Sequence, residues 1–122
     1  MRVSHVVVTA LLLLALAPAG ASARTIFIQS PSHNIACQLD SRFGALCTVL
    51  SLRRQASVSQ HGKVKVFDQN SNPPSGGVRT LRYGDSLRVG KVRCTSRRTG
   101  MRCVHAPTGH GYIASRAGFK RL

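Results

Sequence analysis

Apolar and polar positions alternate with a period of two over short stretches of this chain, and no segment shows sustained helical periodicity. Thr25-Ile-Phe-Ile-Gln29 is the first alternating run, rich in β-branched and aromatic residues, and predicts a strand. Ser30-Pro31-Ser32 turns the chain, because proline cannot donate to a ladder and restricts its neighbour to extended geometry. Lys63-Val-Lys-Val-Phe67 alternates strictly, with Val64 and Val66 inward and two lysines marking an edge strand. Leu87-Arg-Val89 and Gly111 to Ala114 predict further strands, and Val78 to Tyr83 a short one. Arg53 to Gln60 is polar and poorly periodic and reads as a loop or irregular edge. Asp68 to Gly77 reads as a long flexible loop, and Ser115 as the cap of one helical turn holding Arg116 and Phe119.

Two stretches share one design: Cys, a short loop, Gly, two residues, Cys. In the first, pairing Cys37 with Cys47 sets Ile35 opposite Val49 and Leu39 opposite Ala45. In the second, pairing Cys94 with Cys103 sets Val92 opposite His105 and sends Arg93, Thr95, Arg102 and Val104 to the other face. That register leaves Arg98-Thr99 as the turn, and neither residue takes φ > 0 readily. Gly100 is expected to absorb the left-handed position as a bulge. The fold class that follows is all-β, a small disulfide-stapled sandwich or barrel of six to eight short strands with two cysteine hairpins.

The start of the chain suggests a compartment. Arg2, an uncharged apolar run of 12 residues from Val6 to Ala17, Pro18, and Ala21-Ser22-Ala23 read as a signal peptide over residues 1–23, giving an exported protein. An uncleaved N-terminal anchor is the alternative, disfavoured because a span needs about 20 apolar residues. Residues 24–122 then form one small domain, too short to bury a large core without help. Four cysteines in an oxidising compartment supply that help as two disulfides. Three connectivities are open, and hairpin spacing favours Cys37 with Cys47 and Cys94 with Cys103.

Charge changes the picture most. The chain holds 18 Lys and Arg against 3 acidic residues, all Asp, and removing Arg2 with the leader leaves a net +14. Such a surface draws anionic polymers of the cell envelope, nucleic acid or acidic lipid through one non-specific field. The alternative is a solvated coat of arginines spread along the chain. Arg93, Arg97, Arg98 and Arg102 on the second hairpin, with His110 between two glycines, are the candidate anion-binding residues.

Chemistry is otherwise sparse. Asp40, Asp68 and Asp85 sit singly in turns, the cysteines lack metal-ligand spacing, and no strained nucleophile elbow surrounds Ser115. No catalytic residue, cofactor or metal is expected, and no specific nucleic acid, since aromatic interleaving is missing. The expectation is a secreted, non-enzymatic basic domain that binds anionic envelope polymers. The alternatives are a small nuclease using His110 and a proteinase inhibitor presenting the Asp68 to Gly77 loop.

Several segments together resemble a family of secreted actinobacterial proteins built on one small domain of unknown function. They are Ser30-Pro31-Ser32-His33-Asn34-Ile35-Ala36-Cys37, Leu81-Arg82-Tyr83-Gly84, Cys94 through Gly100 to Cys103, and Thr108-Gly109-His110-Gly111-Tyr112 followed by Ser115-Arg116. The resemblance implies export and a disulfide-stapled fold, and supplies no activity, substrate or cofactor. Between about Arg53 and Gly77 the likeness lapses. The family often carries a Trp-Gly step and another cysteine pair there, and this chain has neither. Their joint absence fits two cysteines bonded to each other, which supports local pairing of the four that remain.

Overall fold

A computed structural model describes residues 23–122, so the leader expected over 1–23 lies, apart from Ala23, outside the described residues. Eleven strands follow: β1 (Thr25–Gln29), β2 (Ile35–Asp40), β3 (Gly44–Val49), β4 (Arg54–Ser59), β5 (Val64–Asp68), β6 (Arg79–Thr80), β7 (Ser86–Val89), β8 (Val92–Arg97), β9 (Gly100–His105), β10 (Gly111–Ser115) and β11 (Gly118–Arg121). A single 3-10 turn, Leu50–Leu52, is the one helical element among the described residues. One sheet has the order β5-β4-β3-β2-β1-β6 and the other β11-β10-β9-β8-β7. The fold is a disulfide-stapled, all-β sandwich.

The weak sequence repeat is an architectural one. Each sheet contains five consecutive strands in antiparallel meander, β1 to β5 and β7 to β11, and each carries its disulfide between the second and third of them. Cys37 pairs Cys47 with Ile35 opposite Val49 and Leu39 opposite Ala45, and Cys94 pairs Cys103 with Val92 opposite His105. Both bridges span Cα–Cα distances of 4.1 Å, nearer the narrow, non-hydrogen-bonded class of antiparallel site than the wide one. Local spacing was enough to select this connectivity, because a hairpin brings its own cysteines together.

Ile28, Leu39, Val49 and Val58 from the first sheet meet Val89, Val92, Met101 and Tyr112 from the second, all buried. Three side chains bond the sheets to each other as well. The buried Tyr112 hydroxyl donates to Ala45 O at 3.3 Å, and the Arg121 guanidinium to Val64 O at 3.3 Å. The Gln60 amide donates to Asp40 O and to Val89 O, each at 3.0 Å, while its Oε1 accepts from Lys91 N at 2.7 Å. A Cβ at Gly90, where φ is 62°, would stand 2.6 Å from Gln60 Oε1 and would push this amide out of place.

Three segments differ from the sequence expectation. Arg54–Ser59 is no loop: β4 lies inside the first sheet, with Ala56 and Val58 facing the core. Its period is masked because Gln55, on the outer side, is also fully buried. The Gln55 amide donates to Thr48 Oγ1 at 2.9 Å and Ser71 Oγ at 3.0 Å and accepts from Asn70 N at 3.1 Å. The start of the long loop expected to be flexible is thereby tied to the sheet. Ser115 caps no helix. Its hydroxyl accepts from Ala117 N at 3.2 Å in a turn that leads to β11, where Phe119 packs edge-on against Tyr112 with ring centroids 5.7 Å apart. These extra strands bring the total above the expected six to eight.

Candidate anion-binding face

The outer face of the second sheet is built by alternation. In β8 and β9 the residues Val92, Cys94, Ser96, Met101, Cys103 and His105 point into the sandwich, so Arg93, Thr95, Arg97 and Arg102 point away from it. The same rule in β7 and β11 sends Arg88 and Lys120 outward, opposite to the inward Val89 and Phe119. Five cations therefore share one sheet face, and no strand residue on that face is acidic.

Register orders them. Arg88 stands directly opposite Arg93, and Thr95 opposite Arg102. Arg102 is diagonal to Arg93 on one side and to Arg97 on the other, at roughly 7 to 8 Å between neighbours. The sequence Arg88, Arg93, Arg102, Arg97 is thus a continuous zigzag across three strands. Directly opposed like charges are destabilising in a sheet. Arg88 relieves part of this by turning its Nε–H to Gly90 O at 2.8 Å.

The acidic residues are engaged elsewhere. Asp40 faces Arg42, Asp68 faces Arg54 at 3.2 Å, and Asp85 faces Arg82 at 3.7 Å. Asp40 also accepts from the Thr25 hydroxyl at 2.6 Å and from Arg42 N at 2.7 Å, and these bonds hold its carboxyl below the usual range. Among the described residues, no acid neutralises Arg88, Arg93, Arg97, Arg98, Arg102, Arg116 or Lys120 by an ion pair.

Arg97 and Arg98 extend the face to its end, where they line a cleft of about 460 Å³ with Ser30, Ser32, Tyr83 and Arg116. Arg98 lies over the Tyr83 ring, 5.0 Å from its centroid. Of the five candidate residues named from sequence, Arg93, Arg97 and Arg102 share the face and Arg97 and Arg98 the cleft. His110 stands apart. It precedes β10, whose far end carries Ser115 and the cleft, and five residues of strand separate the two by about 16 Å. The His110 N–H donates to Thr108 Oγ1 at 3.3 Å and its carbonyl accepts from His105 N at 2.7 Å, the pattern of a tight turn. Ser115 and His110 are too far apart to act on one bond.

Alternation predicted Arg93 and Arg102, but Arg88 and Lys120 were missed. Arg88 could have been found from Leu87-Arg-Val89, whereas Lys120 was hidden by the helical reading of its segment.

Sulfur offers no metal centre. Cys37, Cys47 and Cys103 place their Sγ atoms within 4.8 Å of one another, yet all are in disulfides and none supplies a thiolate. No family model, curated protein sequence or solved structure matches the chain.

Proposed function

We propose that this is an exported, non-enzymatic domain that binds anionic polymers of the cell envelope through the outer face of its second sheet. The observation that supports it is the zigzag of Arg88, Arg93, Arg102 and Arg97, with Arg88 directly opposite Arg93 and no acid to offset them. A merely solvated coat has no need to stack like charges in register. An extended polyanion relieves that repulsion at several points at once and releases its counterions as it does so. The row of guanidiniums suits phosphate or carboxylate oxygens, which accept two parallel N–H bonds from each fork. Export is supported by the leader expected over residues 1–23 and by two disulfides, and no helix of the described residues is long and apolar enough to cross a membrane. The resemblance to secreted actinobacterial domains points the same way.

Location separates this reading from bulk charge. Arg93→Gln with Arg102→Gln removes two charges from the face, and Arg53→Gln with Lys65→Gln removes two from elsewhere. Binding to purified wall polymer should weaken on the order of tenfold in the first variant and far less in the second. Equal weakening in both would reduce the interaction to net charge and contradict an assigned face. Turnover of RNA that is lost in His110→Ala would favour the nuclease alternative instead.

A further inference from the structure

Four turns that are distant in sequence close on the cleft at the end of the basic face: those holding Ser30 and Ser32, Tyr83, Arg97 and Arg98, and Arg116. We infer that this cleft is a discrete subsite for a phosphomonoester carried on a hydroxyl-rich unit, such as a sugar phosphate at the end or on a branch of the polymer. The cleft would receive a terminus of the same polymer whose run lies on the face, so this inference rests on the anionic-polymer reading and names the unit recognised.

Three observations converge. First, Arg97, Arg98 and Arg116 line the cleft, no acidic residue does, and none of the three is in an ion pair among the described residues. Three guanidiniums around one opening match a phosphate dianion better than a single carboxylate, because each fork seeks its own pair of acceptor oxygens. Second, four short hydroxyl residues, Ser30, Ser32, Thr99 and Ser115, stand in the same lining. Ser30 Oγ and Ser32 Oγ lie 3.0 Å apart, and Ser30 Oγ also accepts from Ile35 N at 3.1 Å, which fixes the pair in place. Such groups donate to and accept from sugar hydroxyls. Third, Tyr83 is half exposed beside them, with Arg98 held over its ring. That guanidinium covers one face of the ring, so Tyr83 serves as a wall that holds Arg98 at the opening, and a volume of about 460 Å³ leaves room for more than a bare phosphate ion.

The backbone holds this wall in an unusual form. His33, between Ser32 and Asn34, has φ 63°, a left-handed conformation that costs a non-glycine residue energy. The Asn34 amide positions this turn, accepting from Ser51 N and donating one N–H to Ser51 Oγ, each at 3.0 Å.

The test is a titration of the full folded chain with glucose 6-phosphate, glucose and inorganic phosphate, read from backbone amide chemical shifts. Glucose 6-phosphate should perturb Ser32, Tyr83, Thr99 and Ala117 saturably, inorganic phosphate should bind on the order of tenfold more weakly, and glucose not measurably. Arg98→Gln and Arg116→Gln should each weaken glucose 6-phosphate on the order of tenfold, with Arg53→Gln unchanged. Both cleft arginines are exposed, so their loss leaves the fold intact, and the wild-type shift map locates the site independently of any variant. Equal binding of inorganic phosphate, shifts spread over the whole surface, or no saturable binding would each overturn the subsite. If glucose 6-phosphate fails while wall polymer still binds, the cleft assignment falls and the face stands. If glucose 6-phosphate binds and wall polymer does not, the subsite stands and the polymer reading falls.

Discussion

Cys47 Sγ lies 3.6 Å from Cys103 Sγ, so the two disulfides touch across the middle of the sandwich. Neither sulfur carries a hydrogen, and the contact is one of packing. Each bridge closes a hairpin in its own sheet, and their contact makes the inward sides of the two hairpins a single block of core. Removing either bridge by Cys37→Ala with Cys47→Ala, or by Cys94→Ala with Cys103→Ala, should cost roughly 2 to 3 kcal/mol from loop entropy, plus a cavity contribution. Because the bridges touch, removing both should cost less than the sum by at least about 0.5 kcal/mol. Denaturant unfolding of the three variants closes the cycle. Strict additivity would mean that the contact between the bridges contributes no coupling energy.

Gly44 and Gly100 occupy equivalent places in the two meanders, with φ 116° and 136°. A Cβ on Gly44 would stand 1.9 Å from Val58 O of β4, and one on Gly100 would stand 2.2 Å from Ala114 O of β10. Gly118 also has a left-handed φ of 125°, but nothing lies within 4 Å of its Cβ position. Gly118→Ala therefore measures backbone strain alone, about 1 to 2 kcal/mol. Gly44→Ala and Gly100→Ala should each cost at least about 1 kcal/mol more, since a neighbouring strand must move. Thermal melts of the three variants decide it. Equal losses would show that close approach to the third strand contributes nothing.

Asp40 closes the turn of the first cysteine hairpin, and its hydrogen bonds from Thr25 and from the turn amides lower its folded pKa. A carboxyl that is more acidic in the folded state stabilises above its unfolded pKa of about 4, and that contribution fades as pH falls through the lower, folded value. Stability should therefore decline with acid below about pH 4 more steeply in the wild type than in Asp40→Asn. Urea midpoints measured between pH 2 and 6 would test this, and parallel curves for the two proteins would contradict it.

Much of this arrangement is readable from local pattern, and the reasons differ by element. The hairpin registers follow from cysteine spacing, since β2 with β3 and β8 with β9 need no partner to define them. β4 escaped notice because Gln55 is buried on the outer side beneath Asn70 and Ser71, a contact 15 to 16 residues away that no window of alternation contains. β11 escaped because Phe119 is its single core-facing apolar residue. The basic face was half visible: alternation sets Arg93 and Arg102 outward together, but joining Arg88 and Lys120 to them requires the strand order. The cleft was invisible as a cavity. Its lining draws Ser30, Ser32, Tyr83, Gly100, Ser115 and Arg116 from segments far apart in the chain, which the fold brings to one place.

The measurement that tests the central claim most directly is the salt dependence of binding to purified anionic wall polymer. The wild-type chain should lose affinity steeply, with log K falling linearly against log salt. Arg93→Gln with Arg102→Gln should make that slope shallower by roughly one to two units, as expected when two phosphate contacts and their released counterions are lost. A flat salt dependence in the wild type, or a slope unchanged in that variant, would contradict the assignment of the second sheet's outer face as the site of polyanion binding.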